Sequence, residues 1–431
     1  MALYVKNASQ VITVAGASDK PKKGAEMEEI GVIENGSVIC KEGGIVFVGS
    51  DKDAQKFLKA LDEEIETIDA AGKIVTPGLI DPHTHIVFAG SREHELEMRL
   101  QGATYMEIYQ KGGGIHFTTK KTQEASEERL LLETRQRLNR FLQYGVTTVE
   151  AKSGYGLDLR HELKQLEVAK KLQETHPVDL VSTFMGAHAI PSKYQENSDE
   201  YVRLVIEEMI PVVAERGLAD FCDVFCEEGV FTIEQSRRIL EAGIKAGLKP
   251  KIHADEIVSL GGAELAAEVG AISADHLLKA SQRGIEELAK KGVIAVLLPG
   301  TAFFLMEKPA DARKMIESGV PVALSTDRNP GSSPTESLPF IMNLACLTMK
   351  MTPAEVLSAC TINAAHAIDK ASEIGSLEKG KKADLVIFDA PNYQFLQYNY
   401  AVNLVNTVIK NGKVVVKEGM VLDEVIAPGG S

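Results

Sequence analysis

The chain has no apolar run near the roughly 20 residues that a membrane-crossing helix needs. Its first ten residues, Met1 to Gln10, lack the basic-then-apolar order of a secretion signal. Lysine and arginine form no cluster that locally reverses a formal net charge of -14, so nucleic acid is not expected as a partner. An anionic small molecule stays open, since one or two arginines in a cleft decide that locally. Cysteine is sparse. Cys40, Cys222, Cys226, Cys346 and Cys360 are scattered and odd in number, which fits a reducing cytoplasm better than a disulfide framework. No second thiol pair follows Cys222 and Cys226, and the run Asp220-Phe-Cys-Asp-Val-Phe-Cys226 reads as a buried strand, so both are taken as core residues. No Gly-x-Gly-x-x-Gly or Walker-type loop follows any apolar run, which counts against a nucleotide fold.

What is present is ample material for a core: 431 residues, 44% apolar and 25% charged. That length exceeds one ordinary compact domain, while a barrel with a smaller module would fit. Both ends read as short strands broken by turns. Near the N-terminus these are 11–14, 37–40 and 45–48, with a Gly43-Gly44 turn. Near the C-terminus they are 384–388, 405–410 and 414–416, and Asn411-Gly412 between two β-branched runs is a strong hairpin cue. Two β-rich ends around a different middle suggest one satellite domain built from both termini, with boundaries at 1–77, 78–374 and 375–431.

The middle alternates strand-like runs with helical periodicity, the pattern of a parallel sheet with crossover helices. Eight candidate strands cover 78–82, 146–152, 179–186, 221–226, 249–253, 271–275, 293–298 and 320–326. Candidate helices include 127–142, 163–175, 233–246, 262–267, 285–290 and 353–368. Eight strands in this order favour a closed (β/α)8 barrel over an open doubly wound sheet. The expected fold class is therefore α/β, a (β/α)8 TIM-like barrel with a small β-sandwich domain built from both termini.

The active face of such a barrel is the C-terminal end of its strands. At the first of these ends stands Thr76-Pro-Gly-Leu-Ile-Asp-Pro-His-Thr-His85. Two residues apart on extended backbone, His83 and His85 point to the same side, a pairing that suits a borderline divalent metal. On spacing alone they could equally be two polar residues at a strand end. Four further strand ends carry His188, His253, His276 and Asp327. One buried histidine satisfied by the backbone would be unremarkable. Five histidines and an aspartate on one face are the signal.

The order of Pro77-Gly-Leu-Ile-Asp-Pro-His-Thr-His85, a later strand-end His, another His and a final Ser-Thr-Asp327 resembles the amidohydrolase superfamily. Its members are metal-dependent hydrolases on a (β/α)8 barrel with a β-sandwich from both termini, and the likeness spans nearly the whole chain. Narrower motifs are His83-Thr-His-Ile-Val-Phe-Ala-Gly-Ser-Arg92, Lys111-Gly-Gly-Gly-Ile-His116, Glu150-Ala-Lys-Ser-Gly-Tyr-Gly156, Phe184-Met-Gly-Ala-His188, His253-Ala-Asp-Glu256 and Ser325-Thr-Asp-Arg-Asn-Pro-Gly-Ser332. They are similar to the branch that opens the cyclic amide of 4-imidazolone-5-propanoate to N-formimino-L-glutamate in histidine degradation.

The resemblance implies one divalent metal per subunit, zinc or iron, held by His83, His85, His253 and Asp327 with a position left for water. It also implies a homodimer. Asp327 could accept a proton from that water through its free oxygen. Glu256, three residues past His253, is the candidate proton shuttle to the leaving nitrogen, its bland alternative being a helix-entry carboxylate. His276 would polarise the carbonyl or orient the hydroxide. Arg92 could grip the propionate with two parallel hydrogen bonds; without the motif it would read as a solvated loop arginine. Tyr155, His188, Asn329, Gly331 and Ser332 complete the implied substrate contacts. The superfamily's two-metal variety uses a carboxylated lysine ending the fourth strand. Here that strand ends Phe225-Cys-Glu-Glu228, and Lys152 ends the second, so one metal is expected. His94, His116, His161, His176 and His366 are left unassigned, and the triple glycine 112–114 reads as a lid or as a plain connector.

Two rival readings are kept. One is another cyclic amidase or a deaminase of the same superfamily. Arg92 and the Asn-Pro-Gly-Ser turn speak against it, because neutral bases need no carboxylate clamp. The other is a noncatalytic metal- or small-ligand-binding barrel.

Overall fold

The structure, a computed structural model, describes residues 2–61, 64–103, 107 and 113–426. Gly112, and with it part of the glycine run read above as a lid or connector, lies outside the described residues.

Five strands precede the first barrel helix outside the barrel itself: β1 (Ala2–Ile12), β2 (Val32–Lys41), β3 (Gly44–Ser50), β4 (Ile65–Asp69) and β5 (Ile74–Pro77). The barrel strands follow as β6 (Leu79–Asp81), β7 (Val146–Lys152), β8 (Asp179–Ala187), β9 (Phe221–Cys226), β10 (Lys249–Ala254), β11 (Ser273–His276), β12 (Ile294–Leu297) and β13 (Val322–Leu324). β14 (Leu385–Phe388), β15 (Val405–Lys410), β16 (Lys413–Lys417) and β17 (Met420–Val421) return to the first group. The terminal strands form one nine-stranded mixed sheet, ordered β17-β16-β15-β14-β5-β1-β2-β3 with β4 beside β1. Leu3, Val5, Val11, Val38 and Ile45 share one apolar cluster with Val75, Leu385, Ile387 and Ile409. Residues far apart in the strand order thus meet, so the sheet folds over its own core in the manner of a sandwich.

β6 to β13 lie side by side in chain order, each pairing of neighbours parallel. The seam between β6 and β13 closes through an isolated parallel bridge, Thr84 with Arg328. Side chains add to it. The Asp81 carboxylate accepts from the Ser325 hydroxyl and from the Thr326 N–H. β13 is accordingly shorter than the expected 320–326, because Ser325 and Thr326 turn their donors to Asp81.

The helices begin where short polar side chains can cap them. Ser126 caps Glu127–Gln143, Asp158 caps Leu159–Thr175, Ser281 caps Gln282–Lys291, and Thr232 forms a capping box with Gln235 ahead of Ile233–Lys245. The helix expected over 353–368 is two, Pro353–Cys360 and Ile362–Ala367. Thr361 leaves helical geometry between them, and its hydroxyl donates to the Leu357 carbonyl at 2.6 Å. A continuous apolar cluster surrounds the barrel strands, running from Leu79 and Val149 through Phe221 and Ile252 to Val322. No helix among the described residues is long and apolar enough to cross a membrane.

Candidate active site

β6, β8, β10, β11 and β13 deliver side chains to one point at the C-terminal end of the barrel. His83 and His85 follow β6, His253 ends β10 with Ala254, His276 ends β11, His188 follows β8 and Asp327 follows β13. None of His83, His85, His253, His276 and Asp327 is more than 3% exposed. The Nε2 atoms of His85 and His253 are 3.3 Å apart. Asp327 Oδ1 lies 3.5 Å from His83 Nε2 and 3.8 Å from His85 Nε2. His83, His85 and His253 hold their ligand atoms within 4.8 Å of one another, as do His83, His276 and Asp327. His83 Nε2 is buried without a hydrogen-bond partner. A buried imidazole nitrogen left unpaired among other lone-pair donors is costly unless a cation sits there, so the donor set fits a metal.

Behind the ligand atoms each ring is oriented. His83 Nδ1 meets Asp275 Oδ2 at 2.6 Å, and His253 Nδ1 meets Asp223 Oδ1 at 3.1 Å. A carboxylate behind a histidine fixes the tautomer that leaves Nε2 free for a metal. These two aspartates share one cation: Lys152 Nζ is 2.7 Å from Asp223, 3.4 Å from Asp275 and 3.0 Å from Glu150. Glu150 is shared in turn with Lys251 at 2.9 Å. Lys152, set aside in the sequence because its strand is not the one that carries a carboxylated lysine, therefore points into the barrel beneath the histidines. Burial opposes its charge, but Asp223, Glu150 and Asp275 push its pKa up. For Asp223, burial is outweighed by His253 and Lys152, which hold it well below the usual carboxylate range. Burial first, then neighbouring cationic groups, drives His83, His85 and His276 well below the ordinary imidazole range. Neutral imidazoles are what ligation requires.

Asp327 is pushed up to about 6, chiefly by burial. Its second oxygen, expected from the sequence to be free, accepts from the Thr301 hydroxyl at 2.6 Å. That bond orients Oδ1 toward the histidines. Asp327 and His276 both have positive φ, 52° and 74°, a conformation that non-glycine residues adopt where the surrounding structure imposes it.

Glu256 lies across from His276, its Oε2 3.6 Å from Nδ1. Burial, then Asp327 and Glu227, push its carboxyl up to about 8. The helix-entry alternative falls to its neighbour. Asp255 accepts from the N–H groups of Leu260, Gly261, Gly262 and Ala263, leaving Glu256 to face the cluster. Glu227 takes the Ile257 N–H at 2.8 Å and steadies the same loop.

His188 stacks on His85, centroids 4.6 Å apart and planes at 14°, and Tyr155 lies 5.7 Å from His85. Tyr155 is carried by a loop that Glu162 holds, through the N–H groups of Gly154, Gly156 and Leu157. Gly154 has φ of 110°, and a Cβ there would come within 2.7 Å of the His188 ring. Arg92 is not a solvated loop residue. Its Nε and Nη2 bond both oxygens of Glu95, at 2.9 and 2.8 Å, and a Cβ on Gly331 would lie 2.1 Å from its Nη1. Asn329 Oδ1 accepts from the Gly331 and Ser332 N–H groups at 2.8 Å each, so its side chain builds the turn. The structure thus brings His83, His85, His253, His276, Asp327 and Glu256 together, with Tyr155 and His188 against them and Arg92 against the Asn329–Ser332 turn.

Sequence reading missed Asp223, Asp275, Thr301, Glu95 and Glu162, and named Lys152 only to set it aside. A charged residue in the middle of an otherwise apolar strand, as Asp223 is in β9, was the available signal, because such a group needs a buried partner.

A metal-hydrolase barrel is the class that this fold and cluster define. A family profile described as "Amidohydrolase family" matches residues 74–415, and the chain belongs to that family. Within it the relatives are imidazolonepropionases. The chain is 69% identical over 422 residues to the imidazolonepropionase of Shouchella clausii, covering 98% of this chain and 94% of that one. It is 66% identical to that of Geobacillus kaustophilus over 420 residues, 97% and 99% of the two chains. Among solved structures, a triazine hydrolase variant superposes with a TM-score of 0.75 at 16% identity, over 98% of this chain and 96% of that one. An adenosine deaminase from Xanthomonas campestris with bound zinc gives 0.72 at 18%, over 98% and 94%. Likeness at such low identity speaks for the fold.

Proposed function

We propose that the chain hydrolyses the cyclic amide of 4-imidazolone-5-propanoate to N-formimino-L-glutamate, a step of histidine degradation. The 69% identity to an imidazolonepropionase over 98% of the chain supports the substrate. The observation that carries the chemistry is the convergence of His83, His85 and His253 nitrogens with Asp327 Oδ1. These four residues would hold one divalent ion, zinc or iron. Such an ion supplies a nucleophile at neutral pH by lowering the pKa of water from about 15.7 to about 7.

The remaining steps belong to side chains. His276 faces the reacting carbonyl and polarises it or orients the attacking oxygen. Asp327, held by Thr301, receives a proton. Glu256, protonated at neutral pH by its buried surroundings, gives one to the ring nitrogen as the amide opens. Arg92, rigid on Glu95, takes the propionate. Tyr155, His188 and the Asn329, Gly331 and Ser332 turn close around the polar groups of the substrate.

The reading assigns 78–374 to the hydrolase barrel, with 1–77 and 375–431 as its β-sandwich companion. It also assigns a homodimer. Phe303, Leu347, Tyr398, Tyr400 and Val402 are each at least 53% exposed, and they are the apolar side chains that a second copy would cover. A cytoplasmic place accords with five cysteines, all free. The deciding experiment assays the chain on 4-imidazolone-5-propanoate and on cytosine, with metal measured per chain. Turnover of the first, lost on chelation, is expected; turnover of cytosine alone, or turnover that survives metal removal, overturns the reading.

A further inference from the structure

A cavity of about 500 Å³ opens beside the barrel mouth, separate from the histidine cluster. Arg129, Arg137, Arg140 and Arg328 line it, with Phe88, Pro330 and Pro334 as apolar wall. The sequence shows no basic cluster against its net charge of -14, and the structure corrects that: folding gathers four guanidiniums around one space, a local reversal of sign.

Two of these arginines form the floor. Arg137 is 6% exposed and Arg328 9%. Both lie on the ring of Phe88, with guanidinium carbons 3.6 and 5.2 Å from its centroid. Burial, and after it the charge of Arg328, act against the cation on Arg137. Two carboxylates answer the four arginines, and each is divided. Glu133 takes Arg129 at 2.7 Å and Arg137 at 3.3 Å. Glu336 takes Arg140 at 2.8 Å and Arg328 at 2.9 Å. Among the described residues two positive charges are left without a counter-charge: Arg137 and Arg328 are fixed in the floor by the Ile86, Phe88 and Asn329 carbonyls, and Arg129 and Arg140 stand at the exposed rim.

We infer that this cavity is a binding site for a small dianion, a dicarboxylate or an inorganic oxyanion, outside the reaction centre. A dianion restores neutrality to the four-arginine cluster, which a monoanion does not. The site also adjoins the reacting end of the barrel through Arg328. That residue follows Asp327, its carbonyl accepts the His85 N–H at 2.9 Å, and its Nη1 donates to the Asn329 carbonyl at 3.0 Å.

The test is calorimetric titration of the metal-loaded full-length protein at fixed ionic strength. Inorganic phosphate, glutarate and acetate are added separately. Phosphate or glutarate is expected to bind at one site per chain, acetate at least about tenfold more weakly, and which dianion wins identifies the source. The Arg129→Gln/Arg140→Gln double variant alters two rim residues on the helix Glu127–Gln143, outside the catalytic groups. It should weaken dianion binding at least about tenfold while turnover without added anion and the circular dichroism spectrum stay unchanged. No binding of either dianion at tens of millimolar overturns the inference. So does binding that the double variant leaves intact and substrate displaces, because that anion would sit at the barrel mouth instead.

Discussion

Lys152 Nζ lies 2.7 Å from Asp223 Oδ2, a pair fully buried under the histidine cluster. The same ammonium is 3.4 Å from Asp275, so one cation is shared by the two carboxylates that orient His253 and His83. Lys152→Met keeps much of the volume and removes the charge. It leaves Asp223, Asp275 and Glu150 under-compensated, a change worth about 3–5 kcal/mol for a buried pair. The expected result is a metal affinity lowered about 10- to 100-fold and a lower melting temperature. Competition with a chelator of known affinity measures the first, thermal unfolding the second. Wild-type metal affinity in this variant would show that the aspartates orient the rings without it.

Glu256 is pushed up to about 8 by burial and then by Asp327 and Glu227. A proton donor with that value is loaded below pH 8 and empties as pH rises through it. Turnover at saturating substrate should therefore fall above about pH 8. Glu256→Gln is expected to lower kcat by about 10²–10⁴-fold, to remove that alkaline limb and to keep its metal. A glutamine variant with a wild-type pH profile would assign the leaving-group proton to another residue.

Much of this architecture is legible in the residues, and the exceptions share a cause. β7, β9 and β15 match the periodic runs residue for residue, because buried strands of β-branched and aromatic residues announce themselves. Strand-end histidines are conspicuous for the same reason, being polar groups that close apolar runs. Asp223 shows only as a charge inside an apolar run; that Lys152 bridges it to Asp275 depends on which strands become neighbours, and pairing is nonlocal. The break at Thr361 escaped because it depends on one hydroxyl bonding back to Leu357, which no helical period records. Arg92 was legible as a candidate cation, whereas its anchor Glu95 was not singled out, because their pairing shows only once the Arg92 side chain folds onto it.

Arg92 is held by both oxygens of Glu95 and packs on Gly331, so its fork is fixed before substrate arrives. If it grips the propionate, Arg92→Gln should raise KM about 30-fold, equivalent to about 2 kcal/mol for a charged hydrogen-bonded contact. The effect on kcat should be smaller. Glu95→Gln keeps Arg92 charged but frees its fork, so a partial rise in KM is expected. Steady-state kinetics of both variants on 4-imidazolone-5-propanoate decide the matter. A fall in kcat at unchanged KM would move Arg92 from substrate binding to the chemistry.

His176 offers a stability test far from any metal. Its Nε2 meets Asn139 Oδ1 at 3.0 Å, and its Nδ1 accepts the Val178 N–H at 3.1 Å. Only the neutral ring satisfies both, because a protonated Nδ1 would oppose a donor with a donor. Burial, then Arg135, lowers its pKa to about 3, against about 6.5 in the unfolded chain. Between those values the unfolded state binds the extra proton, so the contribution of His176 is complete above pH 6.5 and is lost as pH falls toward 3. From pH 7 to pH 5 that loss is about 2 kcal/mol. Gln at this position keeps a donor and an acceptor but does not titrate. Urea unfolding of metal-loaded protein at pH 7 and pH 5 should therefore show a pH-dependent loss smaller by about 2 kcal/mol in His176→Gln than in the wild type. An identical loss in both would mean that the ring is protonated or released in the folded protein.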